Sequence, residues 1–274
     1  MPTNNLKNVG THFAFGKNWA SYSDLIDENR IAEAQSALLK LLPAAAFKGK
    51  TFLDIGCGSG LHALAAIRLG AARVQGIDID SDSVATTRKV LSANAANANW
   101  SAEVRSAFDL DPAQSGQFDI VYSWGVLHHT GDMWEAIRKT AAMVAPGGFL
   151  TLALYRRTYL DGFWKVEKRF YTGAPKVVTA LIETAYVAAF RIALFLTGGN
   201  FRTYLENYRS RRGMDYYHDV KDWLGGHPYE SILAPELDAF LGRLGFSAER
   251  VNARGKSVGI FGSGCDEYVY RKTR

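Results

Sequence analysis

Thr51-Phe52-Leu53-Asp54-Ile55-Gly56-Cys57-Gly58-Ser59-Gly60 decides the fold. A short apolar run stops at an acid, three alternating glycines follow, and a helical pattern begins at Leu61. This is the pattern of a strand, a tight turn and a helix start. Gly56, Gly58 and Gly60 let the backbone turn sharply and approach a ligand with no Cβ in the way, while the helix behind them offers unpaired N–H groups. The loop is built to hold a small ligand. A dinucleotide fingerprint needs Gly-x-Gly-x-x-Gly, and its third glycine would fall on Leu61. NAD is therefore disfavoured. The next apolar run, 74–80, carries Asp78 where a second parallel strand would end, placed to receive the two hydroxyls of a ribose. A nucleoside is still expected.

From Lys50 the order reads strand to Asp54, helix over 61–69, strand to Asp78, helix over 81–93 and strand over 100–106. Alternation at this spacing implies right-handed crossovers and a parallel sheet covered on both faces, with ligands at the carboxyl ends of the strands. Phe118 to Trp124 reads as a fourth strand, and Phe149 to Tyr155 as a fifth, entered through Pro146-Gly147-Gly148. The next strand candidate starts at Phe246, so about ninety residues intervene where a crossover needs a dozen or more. The excess is a cap inserted after the fifth strand. The last helix, over 235–244, and two strands, 246–251 and 266–271, complete the sheet; the glycine-rich loop between those strands reads as a flexible hairpin.

Leu53 to Gly60, Gly76-Ile77-Asp78-Ile79-Asp80, Phe118 to His129 and Val144-Ala145-Pro146-Gly147-Gly148 follow one another as four strand-end motifs. In this the chain resembles the class I S-adenosylmethionine (SAM) dependent methyltransferases, firmly over about residues 45–155. The resemblance implies an α/β fold: a Rossmann-like, seven-stranded, mostly parallel sheet with an antiparallel last strand and here a helical cap. It implies SAM as cofactor, with Asp54 and Gly56 near the methionine amine, Gly58 and Gly60 in the cradle, Asp78 and Ile79 at the ribose, and Ser123 in the same shell. A cationic amine and a diol both need acceptors, so the chemistry agrees. Asp78 has an alternative role as a helix N-cap, although Asp80 or Ser81 is better placed for it. Many relatives carry an acid for the adenine amine where this chain has Ser106. Adenine recognition then falls to the Ser106 hydroxyl, the Ala107 backbone or Asp109, with Phe108 stacking on the ring.

In that fold the loop leaving the fourth strand, Ser123 to Thr130, faces the transferring methyl. His128 and His129 are the general-base candidates, because imidazole titrates near neutral pH. The competing reading makes one or both of them packing residues against the helix that starts near Asp132. Trp124 and Leu127 shape the pocket wall. The aromatic stretch His12 to Tyr22 offers Phe15, Asn18 and Trp19 as lid residues over substrate or cofactor, or as simple cover for the sheet.

Within the cap, 175–197 is a long apolar helical stretch, interrupted by Glu183 and Arg191, each of which opposes a bilayer span by about 2.5–3.5 kcal/mol near its centre. A transmembrane helix is not expected. On a helical wheel Lys176, Thr179, Glu183, Thr184 and Arg191 share one side. The wide apolar face covers a core, a twin subunit, a hydrophobic acceptor or a membrane surface. The segment 209–230 packs aromatics, acids and histidines between glycines, and resembles a segment of one bacterial subgroup of small-molecule methylases. It is read as the acceptor site, with Arg212, Tyr216, Tyr217, Asp222 and Trp223 as binding residues and His218 assisting catalysis. His218 and Asp222 are four apart, as are Asp215 and Asp219, so each pair shares a helix face. An acceptor pocket, a divalent-metal site and a buried network docking the cap all fit that spacing. No residue is assigned as a metal ligand.

The chain has 274 residues, enough to bury one sizeable core. Its two cysteines stand far apart, Cys57 inside the ligand loop, so a reducing compartment is expected, and the polar start carries no secretion signal. A cytoplasmic location follows as the expectation. A net charge of +5 suits nucleic acid or an anionic membrane surface, yet scattered surface cations give the same sum. The organisation read is an N-terminal lid and helix over 1–45, a cofactor-binding core over 46–155, a cap over 156–234 and a closing helix and strands over 235–274. The function read is O-methylation of a small-molecule acceptor, such as a phenol, a sugar or a lipid-linked metabolite. Peripheral membrane contact and a homodimer remain open. An RNA methyltransferase is the rival, since Val126-Leu127-His128 also resembles a tRNA-modifying relative; a SAM-binding module without turnover is a third reading.

Overall fold

The computed structural model describes residues 26–212, 216–255 and 257–273, with the side chains of 209–212 and 218 excepted. Strands β1 (Thr51–Ile55), β2 (Arg73–Asp78), β3 (Trp100–Val104), β4 (Phe118–Trp124), β5 (Val144–Tyr155), β6 (Phe246–Asn252) and β7 (Cys265–Lys272) form one sheet. Its order is β3-β2-β1-β4-β5-β7-β6. Pairings from β3 through β5 are parallel, and β7 lies antiparallel between β5 and β6. Chain order reverses beside β1, where β4 joins its other edge, so a crevice opens above the carboxyl ends of β1 and β4.

Helices α1 (Glu28–Leu41), α2 (Leu61–Arg68), α3 (Ser81–Asn94) and α4 (Met133–Ala142) cover the sheet. Each boundary has a local cause. Asp27 accepts the Arg30 N–H at α1, Asp80 accepts the Asp82 N–H at α3, and Asp132 accepts the Glu135 N–H at α4. β3 stops at Val104 rather than at 106, because Ser106 caps the 3₁₀ turn Ala107–Asp109. Two apolar layers result. Ile31, Leu38, Phe52, Leu64 and Tyr122 lie in one, and Leu53, Val121, Ile137, Leu152 and Leu237 in the other.

The chain leaves the sheet at Arg156, which bridges to Ile232 on the return. Between them stand α5 (Asp161–Gly173), α6 (Lys176–Leu196), α7 (Phe201–Arg212) and α8 (Tyr216–Gly225), before α9 (Ala234–Arg243). α5, α6 and α7 each pack on α8, and Trp164, Tyr171, Tyr216, Val220 and Leu224 form a third apolar cluster there. Two expectations are corrected at this point, and a third is met in part. The β6–β7 loop is not a free hairpin: the Trp164 indole donates to the Gly259 carbonyl (2.7 Å), Tyr186 donates to the Phe261 carbonyl (2.9 Å), and Tyr159 and Leu160 donate backbone N–H groups to Ser257 and Val258. Glu183 does not sit on an outer polar side of α6, since it turns inward to accept the Tyr171 hydroxyl (2.6 Å). The apolar face of α6 is divided: Ile182, Tyr186, Val187 and Phe190 pack against the cap cluster, while Val177, Leu181, Ile192 and Phe195 are exposed.

Candidate functional site

The glycine loop joins β1 to α2 by folding back on β2. Gly56 and Cys57 both donate to the Ile77 carbonyl, at 2.8 and 3.0 Å, and Gly60 caps α2 in the left-handed region at φ +77°. Gly56 shares that region at φ +75°, and a Cβ there would lie 2.3 Å from Val126 Cγ2. The loop thus touches the loop after β4 with no room for a side chain. Thr87, from α3, donates its hydroxyl to the Gly58 carbonyl (3.0 Å) and fixes the other side.

Two acids stand at neighbouring strand ends. Asp78 accepts the Gly58 N–H at 3.1 Å and the Asp80 N–H at 2.9 Å. Asp54 is buried. Burial, and then the Asp78 charge, push the Asp54 carboxyl up to about 7, against the Ala63 N–H that lowers it. Burial likewise raises Asp78 to about 6, opposed by the Asp80 and Gly58 N–H groups. Among the described residues no cation pairs with either acid. Two desolvated carboxyls without a counter-charge make a site that favours a cation and hydroxyl donors. Cys57 is buried beside them, its thiol pushed well up by burial and by both acids, so it is an inert loop residue.

Other expected residues separate into groups. Ser123 donates its hydroxyl to the Ile55 carbonyl (3.1 Å) and locks β4 to β1. Ser106 accepts the Phe108 N–H, and the Phe108 ring is buried among core side chains rather than open to the crevice. Trp124 is exposed at the β4 end, its indole donating to Glu267 on β7 at 3.4 Å. Beside it stands a residue that sequence reasoning missed. His62, on the first turn of α2, lies 5.2 Å from the Tyr122 ring and 6.3 Å from the Trp124 ring, and burial lowers it to about 4, so it is neutral. Its only signal in the sequence is its place two residues beyond Gly60.

His128 and His129 come together at the seam between core and cap. The Tyr155 N–H donates to His128 Nδ1 (3.3 Å), which puts the His128 proton on Nε2. Burial, then His129 and Lys168, hold that imidazole neutral, well below its usual range. His129 Nδ1 meets the Pro228 carbonyl at 2.8 Å; a carbonyl accepts, so Nδ1 donates and the lone pair of His129 is on Nε2. Both rings contact Tyr155, at 3.9 and 5.2 Å between centroids. Next to them, Lys168 is fully buried, donates to the Trp223 carbonyl and stands 3.6 Å from the Trp223 ring centre. Burial pulls that ammonium down.

The acceptor-site segment is divided. Tyr216 is a core residue of the cap, ringed by Phe190, Tyr204 and Tyr208. Trp223 faces Tyr155 and Trp164 at the seam, each at 5.2 Å. Tyr217 is exposed and lines a groove between α6 and α7, its ring 5.4 Å from that of Tyr216 and turned to the outside of the cap. Asp219 accepts the Tyr208 hydroxyl and is raised to about 7 by burial and Asp222. α8 thus gives the cap both apolar core residues and a buried acid. Phe15, Trp19 and the side chains of Arg212 and His218 lie outside the described residues.

Residues 52–148 match the family described as "Methyltransferase domain". The chain is 41% identical over 115 residues to the ribosomal protein L11 methyltransferase of Geobacter metallireducens, which covers 40% of this chain and 36% of that protein. It is 37% identical over 113 residues to the ubiquinone biosynthesis O-methyltransferase of Xanthomonas campestris pv. campestris, covering 41% and 46%. The chain spans less than half the length of these relatives. Among solved structures, magnesium protoporphyrin IX methyltransferase from Synechocystis PCC 6803, with SAH bound, superposes with a TM-score of 0.53 at 16% identity, covering 88% of this chain and 83% of that one.

Proposed function

We propose that this chain, whose core is a class I SAM-dependent methyltransferase domain, transfers a methyl group from SAM to an oxygen of a small-molecule acceptor held where the cap meets the carboxyl ends of β4 and β5. The observation that carries the cofactor is the pair Asp54 and Asp78: two desolvated carboxyls on adjacent strands, one of them fixed by the glycine loop itself. SAM supplies the matching charges, an ammonium for Asp54 and a ribose diol for Asp78. Ser106 and the Ala107 backbone would receive its adenine, and the loop after β4 would face its methyl group. Trp19 is proposed as part of the cover over it.

Transfer from a sulfonium is in-line and needs positioning above all. The protein supports this with Trp124, His62 and the β4 loop around the crevice. Where the acceptor must lose a proton, His129 is the loop residue in a suitable state, because its lone pair is on Nε2 while the Nδ1 of His128 is spent on Tyr155. The choice of oxygen follows the likeness to an O-methyltransferase, which covers the cofactor core rather than the cap.

The test gives methyl-labelled SAM to purified protein together with cell extract, afterwards split into metabolite, lipid, RNA and protein fractions. Label in the metabolite or lipid fraction, absent from Asp78→Ala, is the expected result. Label in RNA, with binding that falls steeply with salt, would transfer the role of the cap to gripping a nucleic acid. Label in protein would point to a polypeptide acceptor, and no label with normal SAH binding would make the chain a sensor.

A further inference from the structure

The cap carries an apolar surface that none of the chemistry above uses. On α6, Val177, Leu181, Phe195 and Leu196 are 73%, 66%, 76% and 77% exposed, and no residue of the helix is fully buried. The residues between them on the outer side are alanines, Thr184 and Ile192. α5 adds Phe163, Val166 and Phe170, spaced as one helical stripe and likewise exposed. Exposed large apolar side chains clustered on helix faces in this way mark a docking surface.

Charge says what docks there. Over 161–196 all three acids are largely buried: Asp161 accepts the Ser231 hydroxyl and pairs with Lys165 at 3.2 Å, the carboxylate oxygens of Glu167 are buried, and Glu183 accepts the Tyr171 hydroxyl. The exposed charges left on these two helices beyond that pair are cations: Arg169, Lys176 and Arg191. At the far end of α6 an open groove of about 860 Å³ is lined by Ile192, Phe195, Phe201 and Leu205 together with Arg191 and with Arg202, whose Nε also meets the exposed Glu206 carboxylate at 3.4 Å. Apolar walls beside two guanidinium groups suit an acyl chain and its phosphate headgroup. A second copy of this chain would bring cations against cations.

From these observations we infer that the outward face of α6 and the α6–α7 groove dock on the surface of an anionic phospholipid bilayer. The helix is long and apolar enough to cross one, yet its inner side, through Ile182, Tyr186, Val187 and Phe190, is committed to the cap cluster, and crossing would strip that contact. It lies in the interface, held by inserted apolar side chains and by cations at headgroup level. This surface stands apart from the glycine loop and does not depend on the reading of the cofactor site.

The experiment is flotation of the purified full chain with vesicles of phosphatidylcholine alone and of phosphatidylcholine mixed with phosphatidylglycerol. Binding to the mixed vesicles, weakened by salt and much weaker on phosphatidylcholine alone, is expected. Leu181→Glu with Phe195→Glu should reduce partitioning by about tenfold or more, since each change removes an inserted side chain and adds an anion. Arg169→Glu with Lys176→Glu should reduce only the phosphatidylglycerol-dependent part. All four positions are exposed, so melting temperature should not move. The inference is overturned by failure to bind mixed vesicles, by binding that the variants leave intact, or by a stable dimer in sedimentation that Leu181→Glu with Phe195→Glu dissociates.

Discussion

The Gly58 backbone N–H points at the Asp78 carboxylate, 3.1 Å away, so the ligand loop and the acid at the next strand end form one preorganised unit. Asp78 therefore does two things at once: it holds the loop, and it presents its remaining acceptor capacity to the crevice. Asp78→Ala should weaken SAH binding by roughly 10–100-fold, the loss of one or two charge-assisted bonds. Asp78→Asn keeps an acceptor for Gly58 and should lose less. Calorimetry with SAH is the check; unchanged affinity in Asp78→Ala would end the ribose assignment.

The acid pair predicts a pH dependence with a definite sign. Asp54 and Asp78 titrate near 7 and 6 in the folded, ligand-free protein, against 3.8 as the ordinary value. Between about pH 4 and pH 7 the folded state holds protons that the unfolded chain has released, so their contribution to stability is complete below that window and is lost as pH rises through it. Melting temperature without ligand should fall across the window, and less steeply in Asp54→Asn. SAH binding runs the other way: its ammonium favours ionised carboxylates, so affinity should rise from about pH 5 to pH 8 with protons released on binding. Titrations in buffers of different ionisation enthalpy measure that release, and its absence would separate Asp54 from the amine.

Gly56 is held by conformation and by space together. Gly56→Ala places a Cβ 2.3 Å from Val126 Cγ2 at φ +75°. The left-handed backbone costs about 1–2 kcal/mol and the overpacking about 1–3 kcal/mol. Adding Val126→Ala removes the two methyl groups but keeps the Val126 Cβ, 2.9 Å from the added carbon, so it should relieve much of the second cost and none of the first, and the double variant should melt above Gly56→Ala and below wild type. Strict additivity of the two changes would show that the loops do not touch.

Much of this was legible in the sequence because strand ends announce themselves. Asp54, the three glycines, Asp78 and the Asp80 cap are all adjacent to apolar runs whose period fixes the local geometry. The cap was legible as an excess of chain, but not in its packing. The glycine-rich loop that holds Gly259 and Gly262 reads as a flexible hairpin, yet a Cβ on them would strike Thr158 and Trp223, residues about a hundred and about forty positions away from them in sequence. The direction of Glu183 was lost for the same reason: a helical wheel knows the helix, not Tyr171 on its neighbour. His62 escaped notice because nothing local sets it apart, only the rings of Tyr122 and Trp124 brought to it by β4.

The two loop histidines can be told apart by what each nitrogen already does. His128 Nδ1 accepts the Tyr155 N–H, and its backbone carbonyl accepts the Glu230 N–H at 2.9 Å, so His128 ties the β4 loop to β5 and to the chain returning from the cap. His128→Asn offers an amide oxygen to the Tyr155 N–H and should keep most of the turnover. His129 Nδ1 donates to the Pro228 carbonyl, and an asparagine amide N–H replaces that donor but carries no basic lone pair. If His129 takes the acceptor proton, His129→Asn should melt near wild type yet lose roughly 10²–10⁴-fold in kcat, and its remaining activity should rise with pH as the acceptor ionises by itself. If both histidines only pack, the two variants should instead lose activity in step with melting temperature, with an unchanged pH profile, and the crevice would catalyse by positioning alone.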